Sequence, residues 1–335
     1  MKKQRGLKIT AIVLAVIAVF MLLINVIPPR KNVENNPFVV GDGELPMIAA
    51  HRGGGECNPE NTLLAFREAV MTYHVDIIES DLYLTKDGHL VYNHDAYIDE
   101  TCNVNGDIPY EDMKELIKDK SKRHYIRDMT LAELKSYNFG FYFERDGERI
   151  YRDAEDPAEL GLAIATVDEL FSEFYESHPE LLFIVEIKDE GERGYEAARL
   201  LNEVLGEFPA YRDRIVVGTF HDEIEAELKA NYPDLYRGAP TGTAAKFIVT
   251  QLLCVNLFDG GDFACLQIPT DYDVDITLNL ARGTFIRRAH RRNIAVQYWT
   301  INDEATMREL IELGCDCIMT DNPELLGRVL DEYRK

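Results

Sequence analysis

From about residue 46 onward, apolar runs of strand length alternate with amphipathic runs of helix length, and several strand-like runs close on a charged side chain. The most constraining of these lies between Ile77 and Asp95. Residues two apart in a strand share a face, so Glu79 and Asp81 project together from a segment otherwise apolar enough to be buried. Adjacent carboxylates repel, and burial sharpens the repulsion. A hard divalent cation with a preference for oxygen ligands would relieve it. The bland alternative is two ordinary ion pairs at a strand end. Asp87-Gly88 makes a tight turn, and the chain returns from His89 as a second strand that ends in His94-Asp95.

The rest of the chain repeats the theme. Pro46 to His51 is a short apolar run that meets Arg52 and three glycines, whose backbone can approach a ligand closely. Pro59-Glu60-Asn61-Thr62 opens a helix with Leu63, Leu64, Phe66, Ala69 and Val70 at helical spacing. Leu181 to Lys188 is a buried strand with Glu186 and Lys188 on one face. Further strands are expected at 215–220, 294–302 and 317–321, with weaker ones at 235–239 and 263–268. Capping boxes at Thr130–Glu133 and Thr166–Glu169 mark helix starts.

Such alternation predicts an α/β fold, a TIM (β/α)8 barrel over residues 44–335, with polar side chains at the carboxyl ends of the strands. Nine strand candidates compete for eight places, so one of the two weak ones is expected to be irregular. An open doubly wound sheet lacks the G-x-G-x-x-G expected after its first strand. The charged stretch at about 96–162 has no strong buried strand and is expected as a small insertion after the third strand, over the site.

Residues 1–8 are basic through Lys2, Lys3, Arg5 and Lys8, and residues 9–27 are apolar apart from Thr10 and Asn25. A helix of that length spans about 28 Å, one hydrocarbon core. The basic flank places residues 1–8 in the cytoplasm and the remainder outside, with 28–43 as a polar linker. A cleaved leader is the rival reading; the lack of a small-x-small cleavage site favours an uncleaved transmembrane helix. Beyond residue 31 the chain holds 30 basic and 59 acidic groups, a net charge of −29 that argues against nucleic acid as a partner. The six cysteines are Cys57, Cys102, Cys254, Cys265, Cys315 and Cys317, of which Cys315 and Cys317 are expected as small core residues. Cys57 and Cys102 fall in loops near the site and either pair or stay reduced.

Taken together, these motifs resemble the glycerophosphodiester phosphodiesterase family. The resemblance rests on His51-Arg52-Gly53 with Pro59-Glu60-Asn61-Thr62, Glu79-x-Asp81 with Thr85-Lys86-Asp87-Gly88, and His94-Asp95. It continues through Glu186-Ile-Lys188, Trp299-Thr300-Ile-Asn302 and Thr320-Asp321-Asn322-Pro323. It implies that Glu79, Asp81 and Glu186 hold one divalent cation, Ca²⁺ or Mg²⁺, and that His51 and His94 act as general acid and base. It implies that Arg52 and Lys188 bind phosphate, and it leaves Trp299 as either a substrate contact or a packing residue. The implied reaction is hydrolysis of a glycerophosphodiester to sn-glycerol 3-phosphate and an alcohol. The competing functions are an inactive surface protein that captures phosphoesters and a related phospholipase acting on lysophospholipid. Glu100 and Gly218-Thr219 depart from the family pattern, which puts the head-group preference in question.

Overall fold

A computed structural model describes residues 2–253, 255, 257, 260–273 and 277–334; Cys254 lies outside the described residues. In chain order the elements are α1 (Lys2–Val26), β1 (Met47–Ala50), α2 (Leu63–Met71), β2 (Ile77–Leu84), β3 (Leu90–Tyr92), α3 (Tyr110–Leu116) and α4 (Leu131–Leu134). Then come α5 (Val167–Phe174), β4 (Leu182–Ile187), α6 (Gly191–Glu207), β5 (Ile215–Gly218), α7 (Asp222–Asn231), β6 (Tyr236–Arg237) and α8 (Thr241–Leu252). The chain finishes with β7 (Cys265–Ile268), β8 (Asp271–Asp273), β9 (Thr277–Asn279), α9 (Gly283–His290), β10 (Ala295–Tyr298), α10 (Glu304–Leu313), β11 (Cys317–Thr320) and α11 (Pro323–Tyr333).

Eight parallel strands run in the order β6-β5-β4-β2-β1-β11-β10-β7. A parallel bridge between Gly238 and Cys265, with Ala264 N–H donating to Arg237 O at 2.8 Å, joins β6 to β7 and closes the ring. Each barrel strand is followed by a helix on the outside, so the fold is a (β/α)8 barrel. Both weak strand candidates, 235–239 and 263–268, are staves of the barrel. The surplus strand is β3, which pairs antiparallel with β2 off the barrel. A three-residue strand directly after an Asp-Gly turn can only fold back on its neighbour, and that competes with the parallel reading.

The strands bury both faces. Ile48, Ile78, Val185 and Val217 face the helices in one large core, while Ala49, Ile77, Ile184 and Val216 face the lumen in a second. Helix starts follow local chemistry: Thr62, Thr166 and Asp303 accept backbone N–H bonds as caps, and Pro323 stands at the first turn of α11 behind Asn322. The insertion has two small cores of its own, one around Ile98, Cys102, Ile126 and Phe139, the other around Met113, Ile117 and Phe141. Its Arg145 donates to the carbonyl of Cys57, which ties it to the loop after β1.

Residues 28–43 pack across the amino-terminal end of the barrel. Phe38 is fully buried in the lumenal core, and Asn36 Nδ2 donates to Ala264 O at 2.8 Å and Asn293 O at 2.9 Å. Val40 N–H donates to Asp316 Oδ1 at 2.9 Å. A polar composition hides this role, because one phenylalanine suffices to cover the lumen and its burial contributes about 1.5–3 kcal/mol. Cys57 and Cys102 are buried free thiols, so they are not paired; Cys315 and Cys317 are buried in the core as expected. In α1, Gly6–Val26 is long and apolar enough to cross a membrane.

Candidate active site

The carboxyl ends of β1, β2, β4 and β11 bring the charged side chains together. After β1, Arg52, Gly53 and Gly54 have φ of 53°, 82° and 91°. A Cβ on Gly53 would lie 2.9 Å from that of Ala65, and one on Gly54 would lie 2.9 Å from Pro323 Cδ. These glycines therefore let the turn pack on α2 and α11, which differs from the ligand approach expected of them. The turn aims Arg52 N–H at Glu79 Oε2, 3.0 Å away. It also sets His51 with Nδ1 2.6 Å from Asp321 Oδ1 and Nε2 4.0 Å from Glu79 Oε2.

The parallel register places Asp81 directly opposite Glu186, so a second acid pair spans two strands. Lys188 Nζ lies 3.0 Å from both Asp81 Oδ1 and Glu186 Oε1. Arg52 pairs with Glu60 at 3.0 Å and has Nε 3.8 Å from Asp81 Oδ2. Three acids, Glu79, Asp81 and Glu186, thus face two cations. Burial, and then the charge of Asp81, pushes the Glu79 carboxyl up to about 7. Burial also raises Glu186, against the opposing pull of Lys188. Desolvation disfavours the Lys188 ammonium, but Asp81 and Glu186 outweigh it and raise the pKa.

Asp81 Oδ2 and Glu186 Oε1 are buried without a hydrogen-bond donor, although Glu186 Oε1 has the ion-pair contact with Lys188. Among the described residues, no three His, Cys, Asp or Glu side chains stand close enough together to hold an ion. The carboxylate donors suit a hard cation in kind, but in this arrangement Lys188 Nζ bridges Asp81 and Glu186 at 3.0 Å from each, and the three acids do not close around one ion.

His51 is mostly buried. Burial disfavours its imidazolium, but the Asp321 hydrogen bond and the nearby Glu79 charge prevail and raise its pKa. Asp321 is in turn held by Asn302 Nδ2 at 2.7 Å, while Asn302 Oδ1 accepts from Asp321 N–H at 2.9 Å. In an Asp321→Asn variant the imidazolium loses its partner, so His51 titrates at lower pH than in the parent. Histidine ring resonances followed by NMR across pH 5–9 check this, and an unmoved titration would deny the pairing.

His94 is half-buried beyond β3, with Nδ1 3.5 Å from Asp95 Oδ1 and near enough to Glu186 to favour its ionised form. Asp95 is held below the usual carboxylate range by His94. Trp299, one residue past β10, is 38% exposed, and its backbone N–H donates to Ile268 O. Phe220, 63% exposed past β5, has its ring centroid 5.8 Å from Lys188 Nζ. His221 has Nε2 3.1 Å from the carbonyl oxygen of Lys188. From the sequence, Asp321 and Asn302 stood only within the motifs that carry the resemblance, and neither they nor Phe220 had a role assigned. Asp321 at least ends a strand, the signal that marked the other acids.

The chain is 26% identical over 280 residues to a glycerophosphodiester phosphodiesterase of Caldanaerobacter subterraneus, covering 84% of this chain and 96% of that one. It is 25% identical over 294 residues to a glycerophosphodiester phosphodiesterase of Bacillus subtilis, covering 86% and 87%. The fold is similar to a glycerophosphoryl diester phosphodiesterase domain of Mycobacterium tuberculosis, with TM-score 0.66, 17% identity and coverage of 87% and 100%. It is also similar to an Oleispira antarctica phosphodiesterase in complex with the product sn-glycerol-3-phosphate, with TM-score 0.59, 22% identity and coverage of 86% and 97%. The model of the glycerophosphoryl diester phosphodiesterase family matches residues 51–325, nearly the whole barrel, and the chain belongs to that family.

Proposed function

We propose that the protein hydrolyses glycerophosphodiesters to sn-glycerol 3-phosphate and an alcohol, with a divalent cation, outside the membrane that α1 spans. The observation that carries the reading is the convergence of His51 with Asp321, the acids Glu79, Asp81 and Glu186, and the cations Arg52 and Lys188 at one mouth of the barrel. Glu79, Asp81 and Glu186 would hold Ca²⁺ or Mg²⁺, which when bound stabilises negative charge on phosphate oxygen. Arg52 and Lys188 bind the phosphate and act most strongly once the transition state has gathered charge.

His51 and His94 exchange the protons. Asp321 fixes the His51 ring through Nδ1, which leaves Nε2 to face the substrate. One imidazole takes the proton of the glycerol 2-hydroxyl as its oxygen bonds to phosphorus. The other protonates the departing alcohol oxygen as its bond to phosphorus breaks. Water then opens the cyclic phosphate with the two roles exchanged. Trp299 and Phe220 present exposed aromatic faces for the substrate. Glu100 accepts from Tyr97 Oη at 2.8 Å, so it is engaged inside the insertion and offers the alcohol no cation.

The basic residues Lys2, Lys3, Arg5 and Lys8 keep the amino terminus cytoplasmic and place the barrel outside. The full chain in detergent is assayed with glycerophosphocholine, glycerophosphoethanolamine and glycerophosphoglycerol. The expected result is release of sn-glycerol 3-phosphate, lost with EDTA and restored by Ca²⁺ or Mg²⁺. Absence of release from all three, or equal rates in EDTA, would defeat the proposal.

A further inference from the structure

We infer that the end of the barrel opposite the active site is a membrane-docking face that binds anionic phospholipid headgroups. Barrel helices run antiparallel to the strands, so the carboxyl ends of α8 and α9 lie at the base, away from the catalytic mouth. Residues 287–292 read Arg-Arg-Ala-His-Arg-Arg. Arg287, Arg288, His290 and Arg291 line a cavity of about 610 Å³ with Thr284 and the single acid Asp42. Arg30 and Lys31 are exposed, and Asn32 N–H donates to Arg292 O at 2.8 Å, which places them beside the same patch. This basic concentration belongs to a chain whose net charge beyond residue 31 is −29.

A second, independent feature adjoins it. Val249, Leu252 and Leu253 at the end of α8 are 53%, 48% and 61% exposed, and Arg288 donates to the carbonyl of Gln251 between them. Apolar side chains beside arginines match the boundary between acyl chains and headgroups, whereas a soluble anion would gain nothing from the leucines. The patch also touches α1: Arg291 donates to Asn25 O at 2.7 Å and Ile27 O at 2.9 Å. Resting on the proposed membrane span of α1, the inference takes as occupant the anionic surface of that same bilayer. An anionic lipid surface repels the acidic remainder, so charge favours the base toward lipid and the mouth toward water.

The test uses the full chain in nanodiscs with brominated acyl chains. The parent has a single tryptophan, Trp299, near the mouth, which serves as the reference. Leu252→Trp adds a reporter at the base. In discs rich in phosphatidylglycerol, emission from the new tryptophan is quenched and that of Trp299 is not. Adding Arg30→Glu and Arg287→Glu weakens docking by about fivefold for each charge removed. Equal quenching in phosphatidylcholine discs, no quenching at the base, or quenching of Trp299 would overturn the inference. Retention of the chain in discs reports on α1 separately. A chain that does not enter discs is sedimented with vesicles of the anionic lipid, and failure to bind them also overturns it. Hydrolysis by these variants stays at the parental rate, which shows that they fold.

Discussion

The His51→Ala variant loses about 10³- to 10⁴-fold in kcat/KM toward a glycerophosphodiester, the upper range for one general acid or base. On the proposed mechanism the loss falls mainly on kcat, because the ring would move protons while Arg52 and Lys188 would hold the phosphate. His51 is prepared for this exchange. Asp321 grips Nδ1 at 2.6 Å and raises the imidazole pKa against the opposing effect of burial. The pH–rate limb set by His51 also vanishes in the variant. Stopped assays at saturating and subsaturating substrate, from pH 5 to 9, separate these effects. Activity within tenfold of the parent would remove His51 from the chemistry.

Glu79→Gln has the second large effect, and it acts in opposite directions on activity and stability. On the proposed metal role of Glu79, activity falls on the order of 10³-fold, since a neutral amide would be a poor ligand for a hard cation and would leave charge at phosphorus less stabilised. The metal-free fold, by contrast, becomes more stable. The folded carboxyl titrates at about 7, above its ordinary 4.5. Its proton is therefore held more tightly in the folded state than in the unfolded one. The stability this lends is complete below about pH 4.5 and is lost as pH rises through about 7. At pH 8 the parent carries a buried carboxylate beside Asp81 that costs about 3 kcal/mol. In EDTA at pH 8 the variant should melt several degrees higher, at about 2–4 °C for each kcal/mol, and the gap should close toward pH 5. Calcium or magnesium should raise the melting temperature of the parent and not of the variant. A variant less stable than the parent in EDTA at pH 8 would contradict the electrostatic account.

The legible parts of the site were those carried by strand periodicity. Glu79 with Asp81, and Glu186 with Lys188, sit two apart in apolar runs, and the structure gathers both pairs at the barrel mouth. Partners set by register across strands were not legible. The alignment of Asp81 with Glu186 depends on how β2 and β4 are staggered, and the grip of Asp321 on His51 joins residues 270 apart. The barrel class followed from the alternation, whereas β6, of two residues, left only a weak signal at 235–239. Its place is secured by its neighbours' hydrogen bonds rather than by its own composition. Phe38 was missed for a different reason: a lone aromatic in a polar stretch looks like surface until a cavity is found beneath it.

That phenylalanine makes the segment before the barrel a stopper, with practical consequences for proteolysis. A cut between residues 27 and 31 would shed an intact enzyme, because Asn36, Phe38 and Val40 stay seated in the base. A cut a few positions later, past Val40, would uncork the lumen and admit water to Ala49 and Ile77. The span available for harmless release is therefore only a handful of residues long, and a shortened form should begin before Asn32.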